Sequence, residues 1–234
     1  MRASDVISDL TAAKIDWQDY LVNARFVRRD NVITWYNYEK VWLGDHVSTN
    51  DFLSLVDKGQ FSFQLAEDGS ILQLMYEFDP TADILSMACL SFYGAPENIG
   101  TGEPEAVQLD EGKVDSFEEE SEEPRGAFVD SWSKRWLRID YENNEHTTLV
   151  HGVCHMHIGD WPRSRVLVRG VPGPAQFIEW MMALFYPDNY RKHRLDEEGN
   201  FANVVQMQNV NRRTVFFEDH DFFKYMTHLF IPMM

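Results

Sequence analysis

The chain has 234 residues, 44% of them hydrophobic, and a formal net charge of −17. That length can bury a substantial core in one large domain, and no run approaches the roughly 18 apolar residues of a membrane-spanning helix. A surface that tracked a phosphate backbone along its whole extent would be basic, so any nucleic-acid contact has to be local.

The charge is unevenly distributed. Between Glu103 and Glu123 lie ten acidic residues and a single lysine, Lys113, whereas from Lys134 to Arg169 six Lys/Arg face four acids. The two cysteines, Cys89 and Cys154, both sit in apolar runs, the pattern of free buried thiols in a reducing compartment. The N-terminus MRASDVISDL is charged early and lacks an apolar core segment, so no signal peptide is expected and a cytoplasmic location is.

In chain order, Leu10, Ala13, Trp17, Leu21 and Ala24 recur at three- and four-residue steps and predict an amphipathic helix over 4–26. A basic joint, Arg25, Arg28 and Arg29, leads into a strand expected from Asn31 to Tyr38. Thr49 or Asn50 is placed to cap a short helix, Asp51 to Asp57, ending near Gly59. A hairpin follows, with strands Phe61 to Leu65 and Ile71 to Phe78 around the turn Glu67-Asp68-Gly69-Ser70. Ile84 to Tyr93 supplies another strand. Residues 94–126 are rich in glycine, proline, serine and acid and read as a solvated or disordered acidic insertion, at about 95–126, within a single domain spanning 1–234. Trp132 to Tyr141 is the next strand, and a histidine-rich strand pairs back on it. Arg165 to Arg169 makes a short strand, and Gly170 to Gly173 breaks the chain before an apolar helix opening at Pro174. The cluster Arg191, Lys192, His193 and Arg194 reads as a solvated face before a phosphate patch. Val204 to Phe217 is ambiguous, and a last amphipathic helix is expected over about 219–230.

The chemistry-bearing residues concentrate in one place. His146, His151, His155 and His157, half of the eight histidines, fall within twelve residues. Alternation along a strand puts His151, Val153, His155 and His157 on one face and Val150, Gly152, Cys154, Met156 and Ile158 on the other. Cys154 therefore points away from the imidazoles and is no partner for them. His155 and His157 stand about 7 Å apart at their Cα atoms. Paired imidazoles suit general acid and base work on a phosphodiester, with Arg163, Arg165 or Arg169 on the phosphate. The same H-x-H spacing suits a metal, with His151 one step further and Asp140 on the neighbouring strand as an oxygen ligand. The non-chemical alternative is a set of histidines hydrogen-bonded along the edge of a core.

RIDY, CHMHIG, an R-x-R-V-L-V strand and PAQFIEWMMALFY together resemble a bacterial family of unknown function carrying a HxHxG motif and a following arginine. The order of an R-x-D strand, an H-x-H strand and a helix is also similar to TumE-type toxins of toxin–antitoxin pairs. The resemblance covers Arg135 to Tyr186. It implies a prokaryotic protein of a toxin–antitoxin or phage-defence context, with Arg138, Asp140, His155, His157 and Gly159 at the matching positions and Arg165 as the following arginine. The toxin pattern often carries His-His before the spaced histidine, where this chain has Cys154-His155.

The expectation is therefore an α+β fold, a mostly antiparallel sheet of about six or seven strands flanked by helices. Its site would hold His155, His157 and Asp140 as catalytic residues, with Arg138, Arg165 and His151 binding substrate. RNA cleavage without a cofactor is the leading expectation. Zinc or another divalent metal on His151, His155 and His157 is the chemical alternative. A non-catalytic adaptor with a protein partner, an antitoxin or a defence-complex subunit, is the alternative of a different class.

Overall fold

The computed structural model describes residues 1–39, 48–96, 136–142, 154–159, 166–168, 170–195 and 215–216. The acidic insertion, the expected helix over 219–230, and His146, His151, Arg163, Arg165 and Arg169 lie outside the described residues.

Helix α1 spans Ala3–Asp16 and stops at Trp17, short of the expected 26. The apolar steps continue past it, but the chain turns at Tyr20, and Asn23 adopts a left-handed φ of 51°, a conformation asparagine tolerates. Strand β1 (Leu21–Val22) takes the place of the last helical turns, and β2 (Phe26–Arg29) occupies the expected basic joint. β2 pairs with β3 (Val32–Trp35). Helix α2, Thr49–Asp57, is capped by Ser48 and not by Thr49 or Asn50. The Ser48 hydroxyl accepts from the Asp51 N–H at 3.2 Å, and the Asp51 carboxylate accepts from the Ser48 N–H at 3.0 Å, a reciprocal capping box. Gly59, at φ 63°, closes the helix by donating to the Val56 carbonyl at 3.0 Å.

The hairpin falls where it was expected, as β4 (Phe63–Leu65) and β5 (Ile71–Phe78). β6 (Leu85–Tyr93), β7 (Trp136–Glu142), β8 (Cys154–Ile158) and β9 (Val166–Leu167) follow. The nine strands form one sheet in the order β1-β4-β5-β6-β7-β8-β9, with β3 also pairing β5 and carrying β2. Its ladders are antiparallel. The excess over six or seven strands comes from β1, which helical periodicity had absorbed, and β2, which lies in the stretch read as a basic joint. Gly170–Val171, expected to be a break, is a strand (β10) paired with β11, Val215–Phe216.

Alternation assigns the two faces. Leu72, Leu74, Tyr76, Phe78, Ala88, Leu90, Phe92, Leu137, Ile139, Tyr141 and Cys154 meet α1 and α3 (Pro174–Phe185) in the main core. Each large apolar side chain buried there contributes about 1.5–3 kcal/mol. The Tyr76 hydroxyl donates to the Pro172 carbonyl at 3.1 Å, and the Tyr186 hydroxyl meets Ser70 at 2.8 Å, so both ends of α3 are tied to β5 or its turn. Helices are not confined to that face: Phe52 and Leu55 of α2 pack on Ile71, Tyr93 and Trp136 of the other.

Helix α3 ends at Phe185, and Pro187 opens a second helix, α4 (Pro187–Arg194), because proline is suited to a first helical turn. Arg194 is buried, not solvated. Its Nε donates to Glu179 Oε1 at 2.8 Å, its Nη1 to Asp16 Oδ1 at 3.1 Å, and its guanidinium lies over the Trp17 ring. This joint fixes α4 against α1 and α3.

Candidate active site on the second sheet face

Two cross-strand rows build the site. Ser91, Arg138 and His157 form one row, and Cys89, Asp140 and His155 the next, carried by β6, β7 and β8. Cys89 and Ser91 of β6, Arg138 and Asp140 of β7, and His155 and His157 of β8 share this face, so the imidazoles stand beside Arg138 and Asp140 while Cys154 enters the opposite core. The sequence placed Arg138, Asp140, His155 and His157 correctly relative to one another. Arg165 and His151, the remaining expected substrate contacts, are outside the described residues.

One carboxylate oxygen is the focus. Arg138 Nε donates to Asp140 Oδ2 at 2.8 Å. The same oxygen lies 3.5 Å from His157 Nε2 and 3.8 Å from His155 Nε2. The two imidazole centroids are 4.9 Å apart at 68°, and Trp136 stacks on His157. The side chains of His157, Arg138 and His155 are only 7%, 14% and 16% exposed, and that of Asp140 is 28% exposed. His157 Nε2 is fully enclosed and has no hydrogen-bond partner among the described residues. Its 3.5 Å approach to Asp140 lacks the alignment of a hydrogen bond.

Burial alone would push the Asp140 carboxyl up. The His157 imidazole, the Arg138 charge and the Cys89 thiol outweigh it and hold the group below the usual carboxylate range. Asp140 is therefore ionised at neutral pH. Burial pushes the Cys89 thiol well up, and the Asp140 charge pushes it further, so it stays protonated. Cys89 is 4% exposed and Ser91 is 1% exposed, with thiol and hydroxyl 3.8 Å apart. Both belong to the site, and neither was expected there. Alternation along 85–93 puts Cys89, Ser91 and Tyr93 on one face, but only the register against β7 shows what they meet. Trp35 and Met75 pack on Cys89 and bound the site on the β5 side.

These features define the class: an α+β protein with a charged, largely buried cluster of two imidazoles, a carboxylate and a guanidinium on one face of an antiparallel sheet. Asp140, His155 and His157 present one ligand atom each, all within 4.8 Å of one another, a group that could hold a metal ion and that includes Asp140 where the expected set had His151. A model of the family described as uncharacterized conserved protein, DUF2290, matches residues 17–227, and the chain belongs to that family. This agrees with the resemblance to a family of unknown function and extends it over most of the chain. No curated protein and no solved structure matches. No helix among the described residues is long and apolar enough to cross a membrane.

Proposed function

We propose that the chain is an RNA-cleaving effector of the prokaryotic toxin or phage-defence kind, with phosphodiester cleavage at Arg138, Asp140, His155 and His157. The observation that carries the reading is the convergence of both imidazoles and the guanidinium on one Asp140 oxygen. Burying charged groups on a sheet face costs several kcal/mol per ion after relaxation, and apolar side chains would fill the same face at no such cost. A cluster retained against that cost is suited to chemistry. The likeness of the strand order to TumE-type toxins directs the reading to RNA.

In this reaction the 2′-hydroxyl oxygen bonds to phosphorus as its proton passes to a base of the cluster. The bond to the 5′-oxygen breaks, and an acid returns a proton to it. His155 and His157 are the imidazoles for these transfers. Asp140 orients them, Arg138 holds phosphate charge, and Arg165 and His151 are the further substrate contacts. The test is RNA cleavage by the purified protein and growth arrest on expression. His157→Ala and Arg138→Gln should each lower cleavage by about 10²–10⁴-fold while circular dichroism stays native. Full activity in a folded His157→Ala protein would sink the proposal.

A second reading is a non-catalytic adaptor, favoured by the net charge of −17 and the ten acids between Glu103 and Glu123, since such a surface engages basic partners and repels nucleic acid. Deleting residues 100–124 separates the two. Loss of a co-purifying partner together with silent histidine variants would support the adaptor.

A further inference from the structure

We propose that Asp140 Oδ2, His155 Nε2 and His157 Nε2 form a three-ligand site for a divalent cation of the zinc class. The proposal rests on the same cluster as the cleavage reading but on neither its substrate nor its reaction.

Three observations carry it. The donor set is two imidazole nitrogens and one carboxylate oxygen, the composition of catalytic zinc sites that keep a position open for water. The carboxylate oxygen lies 3.5 and 3.8 Å from the two nitrogens. With metal–ligand bonds of about 2.0–2.1 Å, neighbouring ligands of a tetrahedron stand about 3.4 Å apart, and those of an octahedron about 3.0 Å. The two oxygen–nitrogen distances are nearer the tetrahedral edge, and with all three ligand atoms within 4.8 Å of one another the site would tighten around an ion. The second observation is His157 Nε2. It is enclosed in a side chain 7% exposed, has no hydrogen-bond partner among the described residues, and faces the Asp140 oxygen. A buried polar atom left without a partner is destabilising, and an ion on that atom would remove the penalty.

The third observation is the support around the carboxylate. Arg138 Nε occupies one lone-pair direction of Asp140 Oδ2 at 2.8 Å, and a carboxylate oxygen has a second to offer. Arg138 is then a positioning residue, holding the carboxylate as outer-shell partners hold metal ligands. An ion held by these three residues would supply an acidic bound water in its open position.

The full-length protein, stripped with a chelator, is titrated with zinc alone by calorimetry. It is also titrated with cobalt(II) alone, whose four-coordinate complexes absorb strongly in the visible. The expected result is saturable binding of a single ion and the four-coordinate cobalt spectrum. His157→Ala and Asp140→Asn should each weaken binding by more than about 100-fold, beyond what an outer-shell change costs. Asp140→Asn keeps the side-chain shape, so it reads ligand charge even if His157→Ala fails to fold. His193→Gln, altered on the other sheet face beside Trp17, should bind as the unaltered chain does. Absence of saturable binding, or equal binding by Asp140→Asn, overturns the proposal. A bound ion in a protein that cleaves no RNA leaves the site standing and removes the proposed reaction, so the two failures are distinguishable.

Discussion

Replacing Arg194 with methionine measures how much stability rests on the joint of α1, α3 and α4. Methionine keeps much of the aliphatic stem, so packing loss is small and the change isolates the guanidinium. Arg194 donates to Glu179 Oε1 at 2.8 Å, Glu179 Oε2 at 2.6 Å and Asp16 Oδ1 at 3.1 Å, and also contacts Asp16 Oδ2. The Glu179 side chain is only 10% exposed and that of Asp16 is 27% exposed. Removing one partner of a buried pair costs about 3–5 kcal/mol, because the carboxylate left behind is uncompensated. The Asp16 arm adds at most about 1 kcal/mol, being more solvated. A loss of about 4 kcal/mol is a large part of a typical domain stability of about 5–15 kcal/mol. With a urea slope of about 3 kcal/mol per molar, the unfolding midpoint falls by about 1.3 M. Urea titration followed by far-ultraviolet circular dichroism reads this directly. Adding Glu179→Gln to the Arg194→Met chain should restore part of the loss by removing the stranded charge. A midpoint shift of Arg194→Met below about 0.3 M at unchanged slope would refute the reasoning, since it is what a solvated arginine would give.

Two further outcomes follow from the same structure. Cys89 and Cys154 are buried, and burial pushes the Cys154 thiol up to about 12. At pH 8 its thiolate fraction is then about three orders of magnitude below that of a free cysteine. Both thiols should resist alkylation in the native protein and react after unfolding, as mass spectrometry would show, and rapid modification of the native chain would contradict the burial. Ser48→Ala should cost about 1 kcal/mol by removing the cap of α2, read as a melting point lower by about 2–4 °C. The Asp51 carboxyl is held below its usual range by the Ser48 N–H and then by the Ser48 hydroxyl. Its contribution is therefore present above pH of about 4 and is lost as pH falls through the lowered value. The Ser48→Ala penalty should shrink in acid because the Ser48 hydroxyl also donates to the Asp51 carboxylate at 2.7 Å, and a constant penalty would exclude that contact.

What the sequence by itself determined is largely what period and local chemistry encode. The hairpin around Gly69, the opening of α3 at Pro174 and the apolar strands β5 and β6 were legible because two-residue alternation and turn residues are local signals. Alternation also sent Cys154 and His155 to opposite faces and left His151, His155 and His157 on one; the resemblance to R-x-D and H-x-H strands singled out His155 and His157 with Arg138 and Asp140. The end of α1 was misread because the apolar steps run on through Leu21 and Ala24, while the turn after Trp17 is decided by pairing β1 against β4, forty residues away in the chain. Register is likewise a property of pairs of strands. It alone puts Cys89 and Ser91 beside Asp140 and Arg138, and a slip of one residue would have sent them into the core. Arg194 shows the same limit from the side of charge. In the sequence it is the last of four basic residues in a polar run. In the fold its two carboxylate partners come from helices that only tertiary packing brings together, and that packing turns an expected surface charge into a buried joint.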